Sequence, residues 1–215
     1  MSNWKEVFKS ILREIFFYNK CSYCSKELDR KGFICRNCLN RLVEISYLKN
    51  IGDFYYIFYY DEEIREIIAD YKLRNRKNLA KDLALLIRKA IEKLLQEEKI
   101  DMIIPVPINK KRLKERGFNQ VELILDILKI KYYRIDRIRD TKHMYKMENY
   151  SERRKNVKDA FQAKLNLANK NILLFDDIVT SGATIESIKK EIEKNDENVN
   201  IKVFSIAISR RFIAK

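Results

Sequence analysis

Two stretches of this 215-residue chain hold residue types whose spacing could do chemistry. The first is "LLFDDIVTSGAT" (173–184): an apolar run, then Asp176 and Asp177, then Thr180, Ser181, Gly182, Ala183 and Thr184. A loop of this kind leading into a helix presents successive backbone N–H groups. The helix N-terminus adds partial positive charge, so the loop can cradle a phosphate. Gly182 permits positive φ and close backbone approach. The hydroxyls of Thr180, Ser181 and Thr184 add donors. The two carboxylates would repel a phosphate; they suit neutral hydroxyls or a bridging metal. The ligand this implies carries a sugar diol next to its phosphate.

The second stretch holds all four cysteines, Cys21-x2-Cys24, ten residues, then Cys35-x2-Cys38. Paired CxxC turns in a reduced compartment read as a tetrahedral zinc site. Four protein ligands leave no open position, so the metal would be structural. Two redox dithiols, or unrelated free thiols, are the competing reading. Lys20, Lys26, Arg30, Lys31 and Arg36 lie close in sequence and can offset the negative charge of four thiolates. The module is too short for a core of its own, so metal binding should supply much of its folding energy.

The rest of the composition fits anionic ligands. Lys and Arg number 45 against 31 Asp and Glu, a net charge of +14. Such a balance favours phosphates, nucleic acid or an acidic membrane surface. The four glycines, Gly32, Gly52, Gly117 and Gly182, cannot be arranged into a P-loop or a dinucleotide-binding fingerprint. The single histidine, His143, has no evident nucleophile partner and reads as an exposed loop residue. No catalytic residue is assigned. No apolar run approaches the roughly 20 residues that span a bilayer. Charges at Lys5, Glu6, Lys9, Arg13 and Glu14 break any signal-peptide core. The expected location is therefore the cytoplasm.

Elements that could position these residues follow from periodicity. Trp4, Val7, Phe8, Ile11, Leu12, Ile15 and Phe16 predict an amphipathic helix over about 3–18. "DFYYIFYYDEE" (53–63) reads as a strand running into a helix, and a long helix is expected over about 78–99. Next come a buried strand at 102–106, a helix at 121–129, a weak strand at 131–138 and a basic, partly helical stretch at 151–161. A buried strand at 171–175, a helix at 184–194 and a strand at 201–209 close the chain. Strand–helix alternation with continuous apolar strands predicts an α/β fold with a parallel sheet. In such sheets ligands bind outside the carboxyl ends of the strands, where the acid pair is expected. "INKKRLKERGFN" (108–119) also follows a strand end, and offers Lys110, Lys111, Arg112, Lys114 and Arg116 to a pyrophosphate.

The acid pair and its loop resemble the phosphoribosyl-pyrophosphate (PRPP) motif of type I phosphoribosyltransferases. "DMIIPVPINKKRLKERGFNQVELI" (101–124), "SERRKNVKDAFQ" (151–162) and the four-cysteine module narrow the resemblance to the ComF competence family, with "RGFNQ" (116–120) the most specific piece. The resemblance implies a phosphoribosyltransferase-like domain over 49–215, a small zinc-ribbon-like module over 21–48 and an N-terminal helix over 1–20. It implies that Asp176 and Asp177 meet the ribose hydroxyls and that residues 180–184 hold the 5′-phosphate. Pro107 and the loop after it, with Lys110, Arg112 and Arg116, would face the pyrophosphate, and Mg²⁺ would arrive with PRPP. The family's glutamine before the "ER" segment is missing from "TKHMYKMENY" (141–150), so no ligand role is carried there. Two roles stay open. One is phosphoribosyl transfer to an unknown acceptor. The other is a non-catalytic module for single-stranded DNA, or for a DNA-uptake helicase, in natural transformation.

Overall fold

The computed structural model describes residues 19–74, 76–139, 159–195 and 198–214. The expected helix at 3–18, the stretch 141–150 with His143, and the basic segment 151–158 lie outside the described residues.

The main sheet has five strands: β1 (Lys49–Ile51), β2 (Phe54–Tyr59), β3 (Met102–Pro105), β6 (Asn171–Val179) and β7 (Asn200–Ile208). Their order across the sheet is β1-β2-β7-β6-β3. β1 pairs antiparallel with β2. The pairs β2–β7, β7–β6 and β6–β3 are all parallel. The intervening strands, β4 (Asp136–Arg137) and β5 (Phe161–Gln162), form a separate antiparallel ribbon. The expected α/β fold with a largely parallel sheet is thus observed.

Seven helices are found among the described residues: α1 (Arg36–Ile45), α2 (Glu62–Leu73), α3 (Leu79–Glu97), α4 (Lys110–Arg116), α5 (Gln120–Leu128), α6 (Ala183–Asn195) and α7 (Arg210–Ile213). α2 starts where Asp61 accepts the Ile64 N–H at 3.1 Å, with Glu62 and Glu63 in the first turn. That cap and those charges suit a helix N-terminus. On α3, Leu83, Leu86, Ile87, Ala90, Ile91 and Leu94 recur at helical spacing and are all buried. Each larger aliphatic side chain among them contributes about 1.5–3 kcal/mol through burial.

The core lies on both faces of the sheet. On one face α2, α3 and α5 pack over Ile57, Leu173, Phe175 and Phe204. On the other, Ile185, Ile188 and Ile192 of α6 pack with Ile172, Leu174 and Val203 of the sheet, and with Phe161 of the ribbon.

The cysteine module joins the first of these cores. Cys21, Phe33, Ile34, Cys35, Cys38, Leu39 and Leu42 belong to the same buried cluster as α3. Two buried acids tie it down. Asp82 on α3 accepts from Arg30 Nη1 at 2.8 Å and from the Phe33 N–H at 3.1 Å. Asp70 on α2 accepts from Arg76 Nη1 at 2.9 Å, and Arg76 also donates to Ser22 Oγ and the Lys20 carbonyl. Breaking a buried ion pair by removing one partner costs about 3–5 kcal/mol, since the other charge stays buried. Metal is therefore not the module's sole source of folding energy.

Three elements differ from expectation. The strand read at 171–175 continues to Val179, because β7 keeps pairing alongside it: Asp176 opposite Ser205, Ile178 opposite Ala207, Val179 opposite Ile208. The strand read at 131–138 shrinks to Asp136–Arg137 and pairs outside the main sheet. The basic loop after β3 contains a helix, α4, capped by Asn109, which accepts the Lys111 N–H at 2.8 Å. It ends at Gly117, whose φ of 77° closes the last turn.

Candidate functional site

β3 stops pairing with β6 at Pro105–Phe175, so the next residues of β6 have β7 on one side only. Asp176 and Asp177 stand at that opening, inside the strand and not beyond it. Although they are consecutive in the strand, their carboxyls lie close enough to interact with each other. Asp176 shares its row with Ser205, is half-buried, and accepts the Asp177 N–H on Oδ1 at 2.8 Å. Burial first, and then the charge of Asp177, push the Asp176 carboxyl well above the usual carboxylate range; Lys72 opposes them.

Asp177 is buried, and its Oδ1 receives Lys72 Nζ at 2.6 Å. Lys72 comes from α2, 105 residues earlier. Three more groups face Asp177 electrostatically. Burial pushes the Tyr60 and Tyr71 hydroxyls up, and the Asp177 charge adds to both. Burial disfavours the Arg116 charge, Asp177 supports it, and Arg112 opposes it. The structure thus brings Arg116 of α4 within electrostatic reach of Asp177, with Arg112 beside Arg116. Lys110 is exposed. Pro107 is half-buried, with its carbonyl accepting from Arg137 Nη1 at 3.2 Å.

The loop after β6 turns as anticipated. Gly182 has φ of 77°, and a Cβ there would come within 2.6 Å of Phe212 Cε2. Glycine is required on both counts. Ser181 spends its hydroxyl internally, accepting the Ala183 N–H at 3.4 Å. Thr180 and Thr184 remain half-exposed. α6 starts at Ala183, and the first N–H groups of a helix have no partner within it. Beyond the Ala183 N–H, which Ser181 accepts, such donors and the helix dipole are of the kind that can cradle an anion.

Within "RGFNQ", Gly117, Phe118, Asn119 and the Gln120 carbonyl play structural parts. Gly117 ends α4, Phe118 packs its ring 5.6 Å from that of Tyr71, and Asn119 caps α5 by accepting the Val121 N–H. The Asn119 amide also reaches the Val106 carbonyl at 3.3 Å, and the Gln120 carbonyl accepts from the Tyr71 hydroxyl at 2.8 Å. The segment fixes the angle at which α4 and Arg116 approach the acids.

The site residues that sequence reasoning missed are Lys72, Tyr60, Tyr71 and Phe212. Each is remote in sequence from the motif it meets. Lys72, within "ADYKLRN", is one cation among many.

The four cysteine sulfurs lie within 4.8 Å of one another, and Cys24 and Cys35 are 3.8 Å apart at Sγ. Metal–sulfur bonds of about 2.3 Å in a tetrahedron place sulfurs about 3.8 Å apart. The backbone N–H groups of Tyr23 and Cys35 both point at Cys21 Sγ, at 3.4 and 3.3 Å. Burial pushes the Cys21 and Cys38 thiols up. Four thiolates at this spacing can hold a structural metal ion.

Fold and site together define an α/β chain with a parallel sheet, an acid pair at an open strand end, and a four-cysteine module on its N-terminal side. Comparison with known proteins goes further. No family model matches the chain. Competence protein F of Haemophilus influenzae is 28% identical over 197 residues, covering 85% of this chain and 82% of that protein. Competence protein ComFC of Streptococcus pneumoniae is 28% identical over 199 residues, 86% of each chain. DNA utilization protein YhgH of Salmonella typhi is 24% identical over 184 residues, 81% of this chain and 78% of that one. The resemblance to the ComF competence family is borne out over most of the chain.

Two solved structures overlay loosely. Adenine phosphoribosyltransferase from Saccharomyces cerevisiae gives a TM-score of 0.38 at 15% identity, covering 66% of this chain and 75% of that one. Another adenine phosphoribosyltransferase gives 0.41 at 15% identity, covering 82% and 91%. No helix among the described residues is long and apolar enough to cross a membrane.

Proposed function

We propose that this chain is a ComF-type protein that binds PRPP with Mg²⁺, holds structural zinc on its four cysteines, and serves DNA uptake and utilisation in the cytoplasm. What carries the reading is the convergence at one strand end of the acid pair, the Gly182 loop opening α6, and the cations of α2 and α4. The loop N–H groups with Thr180 and Thr184 hold the 5′-phosphate. The acid pair serves the ribose hydroxyls. Arg112 and Arg116, with Lys110 and the Pro107 loop, face the pyrophosphate. Mg²⁺ arriving with PRPP would add positive charge beside the pyrophosphate that Arg112 and Arg116 face.

Transfer breaks the bond from the anomeric carbon to pyrophosphate and forms one to an acceptor nucleophile. Positive charge builds on the ribose, near the acids, while negative charge builds on pyrophosphate, near α4. Positioning and electrostatics would supply the rate. The thermal-shift test is direct. PRPP with Mg²⁺ at about a hundred times its Kd should stabilise the fold by about 2.7 kcal/mol. Ribose 5-phosphate or pyrophosphate alone should give less. An unchanged melting temperature at saturating PRPP overturns the reading.

A second reading is favoured by the exposed basic residues of α4, Lys110, Lys111 and Lys114, on a chain of net charge +14. Here the protein handles single-stranded DNA, alone or with an uptake helicase, and PRPP is regulatory. Oligonucleotide affinity should then fall steeply with salt. Absent binding at low salt removes this reading.

A further inference from the structure

We propose that a ledge of tyrosines and cations beside the Gly182 loop binds single-stranded nucleic acid: bases stack on Tyr47, Tyr59 and the Arg210 guanidinium, and phosphates meet Lys49 and Arg211. This rests on the single-strand reading above for its class of ligand, and gives that ligand a surface separate from α4.

The ledge is built from three strand ends. Tyr47 lies between α1 and β1, and Lys49 opens β1 directly across from Tyr56 of β2. Tyr59 ends β2 opposite Ile208, the last residue of β7, and Arg210 and Arg211 follow β7. Aromatic rings and cations alternate along it. Lys49 Nζ sits 3.7 Å from the centre of the Tyr47 ring, the Tyr56 and Tyr59 ring centres are 5.5 Å apart, and Arg210 Cζ sits 4.0 Å over Tyr59. Tyr56 feels both Tyr47 and Arg210 electrostatically, which joins the two ends of the row. The Tyr47 side chain is 61% exposed, and Arg210 and Arg211 are exposed. Among the described residues, no acid pairs with Lys49, Arg210 or Arg211. Lys49 Nζ donates to the Ile45 and Ile57 carbonyls instead, and burial disfavours its charge, which a phosphate alongside would support. Asp61, the nearest acid after Tyr59 in the chain, is spent on the Ile64 N–H. Reachable rings next to cations without counter-ions suit a single strand. Each base offers a face to an aromatic ring or a guanidinium plane, and each nucleotide brings a phosphate. The ledge continues into the Gly182 loop: the Ser209 N–H donates to the Val179 carbonyl at 2.8 Å, and Phe212 lies against Gly182. It occupies β1, β2 and β7, whereas α4 follows β3 at the far edge of the sheet.

Fluorescence anisotropy with labelled oligo(dT) and oligo(U) of about twelve nucleotides tests this, with melting temperature and metal content as fold controls. Tyr47→Ala is expected to weaken binding about tenfold, and Tyr47→Phe to keep it, because the ring face is what stacks. Arg211→Gln should weaken binding and lower the slope of log affinity against log salt by about 0.7, the share of one phosphate on a single strand. A duplex of the same length, whose base faces are covered, should bind more weakly. The oligomer bound more tightly names the strand as DNA or RNA, and binding of either through these residues supports the ledge. Should Tyr47→Ala fail to fold, Tyr47→Leu takes its place. Wild-type protein that binds neither oligomer at low salt overturns the single-strand reading and the ledge with it. Wild-type binding that survives Tyr47→Ala and Arg211→Gln but is lost in Lys110→Gln with Lys114→Gln overturns only the ledge, as does a duplex bound more tightly than the single strand.

Discussion

Cys38→Ser is expected to empty the metal centre and to lower the melting temperature by about 6–12 °C. Cys38 belongs to one cluster with Cys21, Cys24 and Cys35, and all four sulfurs lie within 4.8 Å. Serine offers no thiolate, and a three-sulfur site binds a tetrahedral ion far less tightly. Losing a structural metal forfeits folding free energy, here about 3 kcal/mol or more. In a domain of this size about 1 kcal/mol moves the melting temperature by about 2–4 °C. The module should loosen and stay attached, since Phe33, Ile34, Leu39 and Leu42 are buried in the main core. Elemental analysis and melting curves with and without chelator provide the check. A serine variant that retains one metal per chain would show that the four sulfurs are not its ligands.

The second large effect concerns the loop. Gly182→Val should reduce PRPP affinity by about tenfold or more, because backbone strain of about 1–2 kcal/mol and a steric contact both oppose the loop's geometry. A side chain at φ of 77° costs about 1–2 kcal/mol in backbone strain. The added Cβ would also lie 2.6 Å from Phe212 Cε2, so the ring or the loop must move. Combining Gly182→Ala with Phe212→Ala separates the two causes. Removing the ring relieves the contact and leaves the backbone strain. Partial recovery of affinity is expected; full recovery would mean that φ at this position is unimportant.

Much of this was legible because burial leaves plain marks on a sequence. "NILLF" and "IKVFSIAIS" are continuous apolar runs, and they lie in two neighbouring parallel strands of the sheet. Leu83, Leu86, Ile87, Ile91 and Leu94 mark α3 by spacing alone. The cysteines and the Gly182 turn were readable because their chemistry is local. What escaped depends on partners far along the chain. β6 runs through its acids because β7 continues to pair there, which overrides the low strand propensity of aspartate. α4 carried a readable signal in Asn109 and Gly117, a cap at each end, although its charge density suggested a loop. Lys72 left no signal, since only the fold brings it across 105 residues to Asp177. The ties from Asp70 and Asp82 to the cysteine module were likewise hidden, since both read from sequence as ordinary acids on helices.

The central claim is that the opening beside β6 is a PRPP site, and calorimetric titration of PRPP in the presence of Mg²⁺ tests it most directly. Saturable binding of one PRPP per chain is the expected result, with the signal lost in Asp176→Asn while melting temperature and metal content hold. A wild-type protein that gives no binding signal, or an Asp176→Asn variant that binds like wild type, would contradict it.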